Sequence, residues 1–394
     1  MDPLLALALV LPFLGKFRKM GTLLAFIIAL AFSISQGYYL ATFFFTLSII
    51  LIVFSSWPQS KYPIFYLAMF DLIGLLRSKT ILELFLYFEL AIYASYFLIT
   101  EKRDLRAVFR YFIVNSIGSA LMLFAVALSF AETGSLSHLA QKAQIFFVLG
   151  LLIKLGIAPF QDWLVEIYRT ASLPTILFFS AVLTEISPLA LLLVIRKPSP
   201  VLQLFALASM SIANIMALSE HNMRRLLALL DASNLAYDLL AIAIASSFSR
   251  TAALYMMFSH VLAMCFAFTA LIVSKARSIY ELHPPKGLEV PFYASFFALS
   301  GLPPLHLFPS KILLFLSVFR ESSLFSYILL INLALGALVS LRILAAIKHA
   351  RKIEVEKKYV IFLYFLLAIS LLLGLFPNLF FSFVSSQLLF FNRF

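Results

Sequence analysis

Long apolar runs separated by short polar ones recur from one end of this chain to the other. Fourteen can be marked, near 3–15, 20–35, 37–57, 62–76, 80–100, 105–130, 142–158, 173–195, 200–218, 224–248, 251–274, 289–319, 324–347 and 359–390. A helix needs roughly 20 apolar residues to cross a bilayer, so the first two are marginal. The last is interrupted at Pro377 and is expected to bend or end there. Residues 3–15 read as a short first span rather than a cleavable signal. The polar connections are too short to hide a soluble domain. The pattern predicts an all-α polytopic membrane protein of about 14 transmembrane helices, with residues 1–394 as a single membrane domain.

Two of these runs are broken. In GLLIKLGIAPFQDWLVEIYR (150–169), Gly156 and Pro159 interrupt the seventh run, and 160–170 becomes a short amphipathic piece. Pro159 offers no N–H to the carbonyl of Leu155 and its ring crowds that turn. Broken backbone at membrane depth survives only where protein or a wet cavity surrounds it. The twelfth run breaks at FFALSGLPPLHLFPSK (296–311), where Gly301, Pro303 and Pro304 free the carbonyls of Leu299 and Ser300. Lysines flank both breaks. Lys154 precedes the first, and Lys311 follows the second by about two turns, ~11 Å of helix. Five spans separate the broken runs, so each begins on the opposite side of the membrane. That spacing predicts two inverted repeats, about 62–196 and 200–347. Discontinuous helices of this kind mark the ion path in transporters.

Composition agrees with lipid as the solvent. Hydrophobic residues make up 63% and charged residues 12%, with a mean hydropathy of +1.03. A soluble core is excluded on those values. The net charge of +12 is spread through short loops, which disfavours a nucleic-acid face. Alternate loops divide the basic residues nineteen against seven, and the richer side includes Lys61, Arg110, Arg169, Arg225, Lys352 and Lys357. The positive-inside rule places that side in the cytoplasm and both termini outside. One cysteine, Cys265, cannot form an internal disulfide or hold an iron–sulfur cluster.

The chemistry sits in charges inside the apolar runs. A charged side chain at mid-bilayer costs ~2.5–3.5 kcal/mol even on the lenient insertion scale. Lys154 either snorkels to an interface or faces protein. Glu83 and Glu89 lie six residues apart, about 240° around a helix, so they cannot share a face; Glu89 is the deeper. Glu185 interrupts FFSAVLTEISPLALLLV, satisfied by Thr184, by Ser187, by a neighbouring subunit's arginine, or acting as a proton store. Adjacent acids and bases serve equally as proton relays or as helix–helix ion pairs. Asp71, Asp231, Asp238, His260 and His306 are weaker signals. Asp231 is placed to cap its helix, to pair with Arg224 or Arg225, or to relay protons. His260 is a packing residue or a relay between halves. Asn115, Ser116 and Ser119 suit water or a helix contact. No phosphate-binding loop, dinucleotide fingerprint, nucleophile elbow or metal-ligand pattern occurs, and no metal is expected. What remains is movement of a proton or small ion.

These residues resemble the antiporter-like membrane subunits of respiratory complex I, within the proton-conducting transporter superfamily. Lys154-Leu-Gly-Ile-Ala-Pro-Phe-Gln-Asp-Trp163 is similar to the K-L-G-x-A-P-F-H-x-W motif of subunit N, called subunit 2 in mitochondria. Gly301-Leu-Pro-Pro304 through Lys311 is similar to its G-L-P-P-x-x-G-F-x-x-K segment. Asn222-Met-Arg-Arg-Leu-Leu-Ala228 resembles N-x-[KR]-R-x-L-A-Y-S-S, and Phe88-Glu89-Leu90 falls at the glutamate of the fifth span. The resemblance implies that Glu89 pairs with Lys154, that Lys154 is a central proton carrier, and that Lys311 ends an exit half-channel. It implies no cofactor on this chain, with flavin, Fe–S clusters and quinone in partner subunits. The expected partners are other membrane subunits, a peripheral redox arm and the bilayer of an energy-coupling prokaryotic cell membrane.

The likeness has departures. Glu185 stands where the family usually has a lysine, Gln161 replaces the motif histidine, Leu307 the second-break glycine, and Leu229-Leu230-Asp231 the Tyr-Ser-Ser. A lysine would repel a proton arriving at Lys154, whereas Glu185 attracts it. At ~8–10 Å and an effective dielectric near ~20 that is roughly 1.7–2 kcal/mol. The leading expectation is a proton-translocating, non-redox subunit of a complex I-type NADH (or related donor):quinone oxidoreductase, using Glu89, Lys154, Glu185 and Lys311. A subunit of a membrane-bound hydrogenase or Na⁺/H⁺ antiporter assembly, and a non-pumping structural subunit, are the alternatives.

Overall fold

Thr80 and Ser246 start two long helices in the same way. Each hydroxyl accepts from the backbone N–H three residues on, while Glu83 or Ser249 reaches back to the cap N–H. Glu83 is therefore a capping residue, and Glu89, on another face, is left for the interior. The computed structural model describes residues 18–35, 60–100 and 105–387, with a few single positions between 12 and 52. The expected spans at 3–15 and across most of 37–57, with Lys102 and Arg103, lie outside the described residues.

The described helices are α1 (Arg18–Ser35), α2 (Lys61–Arg77), α3 (Ile81–Ile99), α4 (Leu105–Thr133), α5 (Gln141–Leu155), α6 (Asp162–Thr170), α7 (Leu173–Phe178) and α8 (Ile186–Val194). There follow α9 (Pro200–Ser219), α10 (Met223–Ile244), α11 (Ser247–Ser274), α12 (Glu289–Ser300), α13 (Leu307–Glu321), α14 (Ser323–Ala346), α15 (Lys357–Leu375) and α16 (Pro377–Gln387). Among the described residues there is no β-strand beyond two isolated bridges, and seven helices are long and apolar enough to cross a membrane. The two broken runs escape that length test because each forms two shorter helices. The predicted stop at Pro377 is the boundary between α15 and α16.

Two helices form the centre. The spanning stretch of α10 is 100% buried and that of α11 is 94% buried, whereas α15 has only 22%. Polar side chains on α10 and α11 therefore face protein wherever they point, and those two helices carry Asp231, Asp238 and His260. At the α4–α5 crossing a Cβ on Gly118 would lie 2.9 Å from the Gly150 carbonyl and 2.9 Å from Cγ of Lys154. Only hydrogen fits there, and the close approach lays the lysine stem along α4.

Gly156 (φ +72) and Gly301 (φ +65) end α5 and α12 in the same left-handed conformation. The freed backbone is satisfied locally. Trp163 Nε1 donates to the Ile153 carbonyl (3.2 Å), and Ser209 Oγ donates to that of Ala158 (2.7 Å). At the second break Lys311 Nζ donates to the Ser300 carbonyl (3.1 Å). The long Lys311 side chain thus reaches back along the ~11 Å of helix and brings its charge to the break itself.

Three arginines cap the ends of neighbouring helices. Arg250 donates to the carbonyls of Ile195 (2.9 Å) and Leu192 (2.8 Å), Arg224 to Ala171 (2.8 Å), and Arg342 to Glu220 (2.8 Å). Positive charge at a helix C-terminus also opposes the helix dipole. These arginines have local work whatever they do for topology.

Candidate functional site

Phe88-Glu89 on α3 and Lys154 on the last turn of α5 meet across the helix interface. Lys154 Nζ lies 2.9 Å from Glu89 Oε1, the lysine side chain fully buried and the glutamate 8% exposed. Ser119 of α4 completes a triangle, accepting from Lys154 Nζ at 2.8 Å and donating to Glu89 Oε2 at 2.8 Å. The hydroxyl is both acceptor and donor, so it offers a second route between ammonium and carboxylate. Lys154 Nζ also sits 5.3 Å from the centre of the Phe88 ring, a cation–π contact. Snorkelling is therefore not the arrangement. Ser119 was a weak candidate in the sequence because serines are common in membrane helices, and its contact needs three helices in register.

A second group lies deeper. Just before α8 the chain winds through one π-helical turn, Phe179–Leu183, of the kind frequent at functional sites. Glu185 follows it and is fully buried. Its Oε1 is 2.7 Å from Nδ1 of His260, and the other ring nitrogen, Nε2, is 2.8 Å from Oδ1 of Asp231. Tyr168, from the amphipathic piece after the first break, donates its hydroxyl to Oδ2 of Asp231. The four side chains form a continuous polar line, Glu185–His260–Asp231–Tyr168, drawn from four elements. Ionised carboxylates only accept. An imidazole between two of them is either doubly protonated or faces a protonated carboxyl.

This group corrects two expectations. Asp231 does not pair with Arg224 or Arg225; Arg224 caps α6 and Arg225 binds Glu220 at 3.0 Å, while Asp231 is fully buried a turn or two further in. Of the partners considered for Glu185, Thr184 is turned elsewhere. Thr184 donates to the Ser180 carbonyl (3.0 Å), and the glutamate's partner is His260. Asp238 is also fully buried, and its carboxylate lies within 4.8 Å of ligand atoms of both Glu185 and His260. Its place there depends on adjacency across α10, α11 and the α7–α8 turn, which is invisible in one dimension.

Lys311 is buried on α13, with Nζ 5.3 Å from the centre of the Tyr237 ring of α10. His306 braces the second break through Ser370 Oγ (2.6 Å) and the Ser259 carbonyl (2.9 Å), a packing use. The structure thus brings Glu89 to Lys154, and Glu185 to His260 and Asp231. Lys311 stands apart from both groups and touches α10 through Tyr237.

Buried acids and bases between two broken helices, inside an all-helical bundle, define an antiporter-like integral membrane subunit. The comparisons agree. The chain belongs to the NADH:quinone oxidoreductase/Mrp antiporter transmembrane family, which it matches over residues 78–336. It is 27% identical over 320 residues to NADH-quinone oxidoreductase subunit N of Desulforudis audaxviator, covering 72% of this chain and 64% of that one. To NADH-quinone oxidoreductase subunit 14 of Thermus thermophilus it is 27% identical over 285 residues, 67% and 65% of the two chains. It therefore spans just under two thirds of the length of these relatives. The fold is similar to that of a chain in respiratory complex I from Thermus thermophilus with bound Aureothin, with TM-score 0.86, 23% identity and coverage of 96% and 98%. A chain of the membrane-bound sulfane sulfur reductase, an archaeal respiratory membrane complex, gives 0.84 at 19% identity, covering 98% of this chain and 95% of that one.

Proposed function

We propose that this chain is a proton-translocating membrane subunit of a complex I-type oxidoreductase that passes electrons from NADH or a related donor to quinone. The observation that carries the reading is the Glu89–Ser119–Lys154 triangle, a buried acid, hydroxyl and base in contact beside a broken helix. A proton taken up at Glu89 reaches Lys154 directly or through Ser119. From the first break the Tyr168–Asp231–His260–Glu185 line extends toward α11, and Lys311 at the second break is the outlet. Residues 62–196 and 200–347 act as two inverted repeats, each with one glycine–proline break. Flavin, clusters and quinone belong to partner subunits, and no step on this chain is a redox step. The chain sits in an energy-coupling prokaryotic membrane with both termini outward.

Exchanging Lys154 for Met tests the reading. Assembly survives, because Glu89 alone takes up a proton and becomes neutral. Pumping in the assembled complex falls by about tenfold or more, the scale expected when a positioned proton-transfer group is lost. An assembled variant that keeps the normal proton-to-electron ratio overturns it and favours a structural subunit. Quinone-reducing partners co-migrating with the chain in mild detergent support the assembly proposed; hydrogenase or antiporter partners point to the alternatives. For orientation, a cysteine at Lys352, with Cys265 replaced, is labelled only from the cytoplasmic side. Labelling from outside reverses the topology.

A further inference from the structure

Asp238 is fully buried, and neither of its carboxylate oxygens has a hydrogen-bond partner among the described residues. Oε2 of Glu185 is likewise unpaired. The Asp238, Glu185 and His260 ligand atoms all lie within 4.8 Å of one another. Asp231 and Asp238 are seven residues apart on α10, two turns, and so present one face to the centre. Facing them are Glu185 beside α8, His260 of α11 and Tyr168 of α6. Three carboxylates therefore surround one imidazole, whose two nitrogens are already taken by Glu185 and Asp231.

Even with His260 doubly protonated, three ionised carboxylates would leave two buried negative charges unbalanced. Each uncompensated buried charge costs several kcal/mol. A hard metal cation takes about six or more oxygens, more than the unpaired carboxylate oxygens of Glu185 and Asp238 supply. A proton needs two. We propose that Asp238 holds a proton in common with Glu185, making the pair a proton store within the His260 centre. The transfer is balanced: the O–H bond on an Asp238 oxygen breaks as one forms on a Glu185 carboxylate oxygen, and the net charge of the pair is unchanged.

This inference deepens the proposed function and rests on it for its meaning, but its first readout does not need turnover. Infrared spectra of the assembled complex are compared between parent and D238N in H₂O and D₂O. A carboxylic-acid carbonyl band in the parent that shifts in D₂O, disappears in D238N and returns at a shifted position in D238E supports the shared proton. E185Q should move the same band, because it removes the second oxygen. D238N should assemble yet pump with a ratio reduced severalfold, with partial recovery in D238E. A parent spectrum without such a band overturns the proposal, as does one sodium ion per complex that is lost only in D238N. Failure of the broader reading appears separately, as a K154M complex that pumps normally.

Discussion

The Glu89 and Glu185 centres solve the same problem with different charge balances. At the first, one carboxylate meets one ammonium at 2.9 Å, and Ser119 occupies the second oxygen. The pair is neutral as it stands, and losing either charge is answered by one proton change on the other. At the second, Glu185, Asp231 and Asp238 share His260, so acids outnumber bases and neutrality depends on protons. A balanced pair is suited to passing a proton, an acid-rich group to keeping one. The difference follows from what surrounds each glutamate: an ammonium and a hydroxyl at Glu89, and at Glu185 a histidine placed between it and Asp231.

The comparison breaks hardest at His260. His260→Ala removes the base common to the carboxylates, and breaking a buried pair by deleting one partner costs about 3–5 kcal/mol. The amount of assembled complex, read on a native gel, should fall sharply, in contrast to the intact assembly expected of Lys154→Met. Normal assembly of the alanine variant would mean that the carboxylates are already neutral without the ring. Glu185→Gln comes next. The amide keeps a contact to His260 but cannot carry a proton, so assembly should be normal and pumping several times weaker, with Glu185→Asp intermediate. A glutamine variant pumping like the parent makes Glu185 structural and routes protons around α8. The smallest effect belongs to Ser119→Ala, which leaves the direct Glu89–Lys154 contact in place. A loss of about 1 kcal/mol in stability and a slowing of turnover by a fewfold are expected; a defect as deep as that of Lys154→Met would show that the hydroxyl is the main route.

The amino-acid sequence by itself determined the membrane setting and the breaks at Gly156 and Gly301, and it singled out Glu89, Lys154, Glu185 and Lys311 as ionisable residues within apolar runs. Those signals are local. Hydropathy is summed along one run, a proline removes the hydrogen bond of its own turn, and an ionisable residue in an apolar stretch stands out without knowledge of its neighbours. Only the tertiary structure decided which charges meet. Ser119 became a bridge because the Gly118–Gly150 crossing brings α4 against the stem of Lys154. Asp231, which the sequence leaves open to capping, to pairing with Arg224 or Arg225, or to proton relay, is a partner of His260, and Asp238, a weak signal in one dimension, lies beside that centre. Tyr168 joined that group from the far side of the first break. Contacts between residues separated by 63 or 75 positions depend on helix rotation and crossing angle, which arise from packing over whole faces. No spacing within a single helix encodes them.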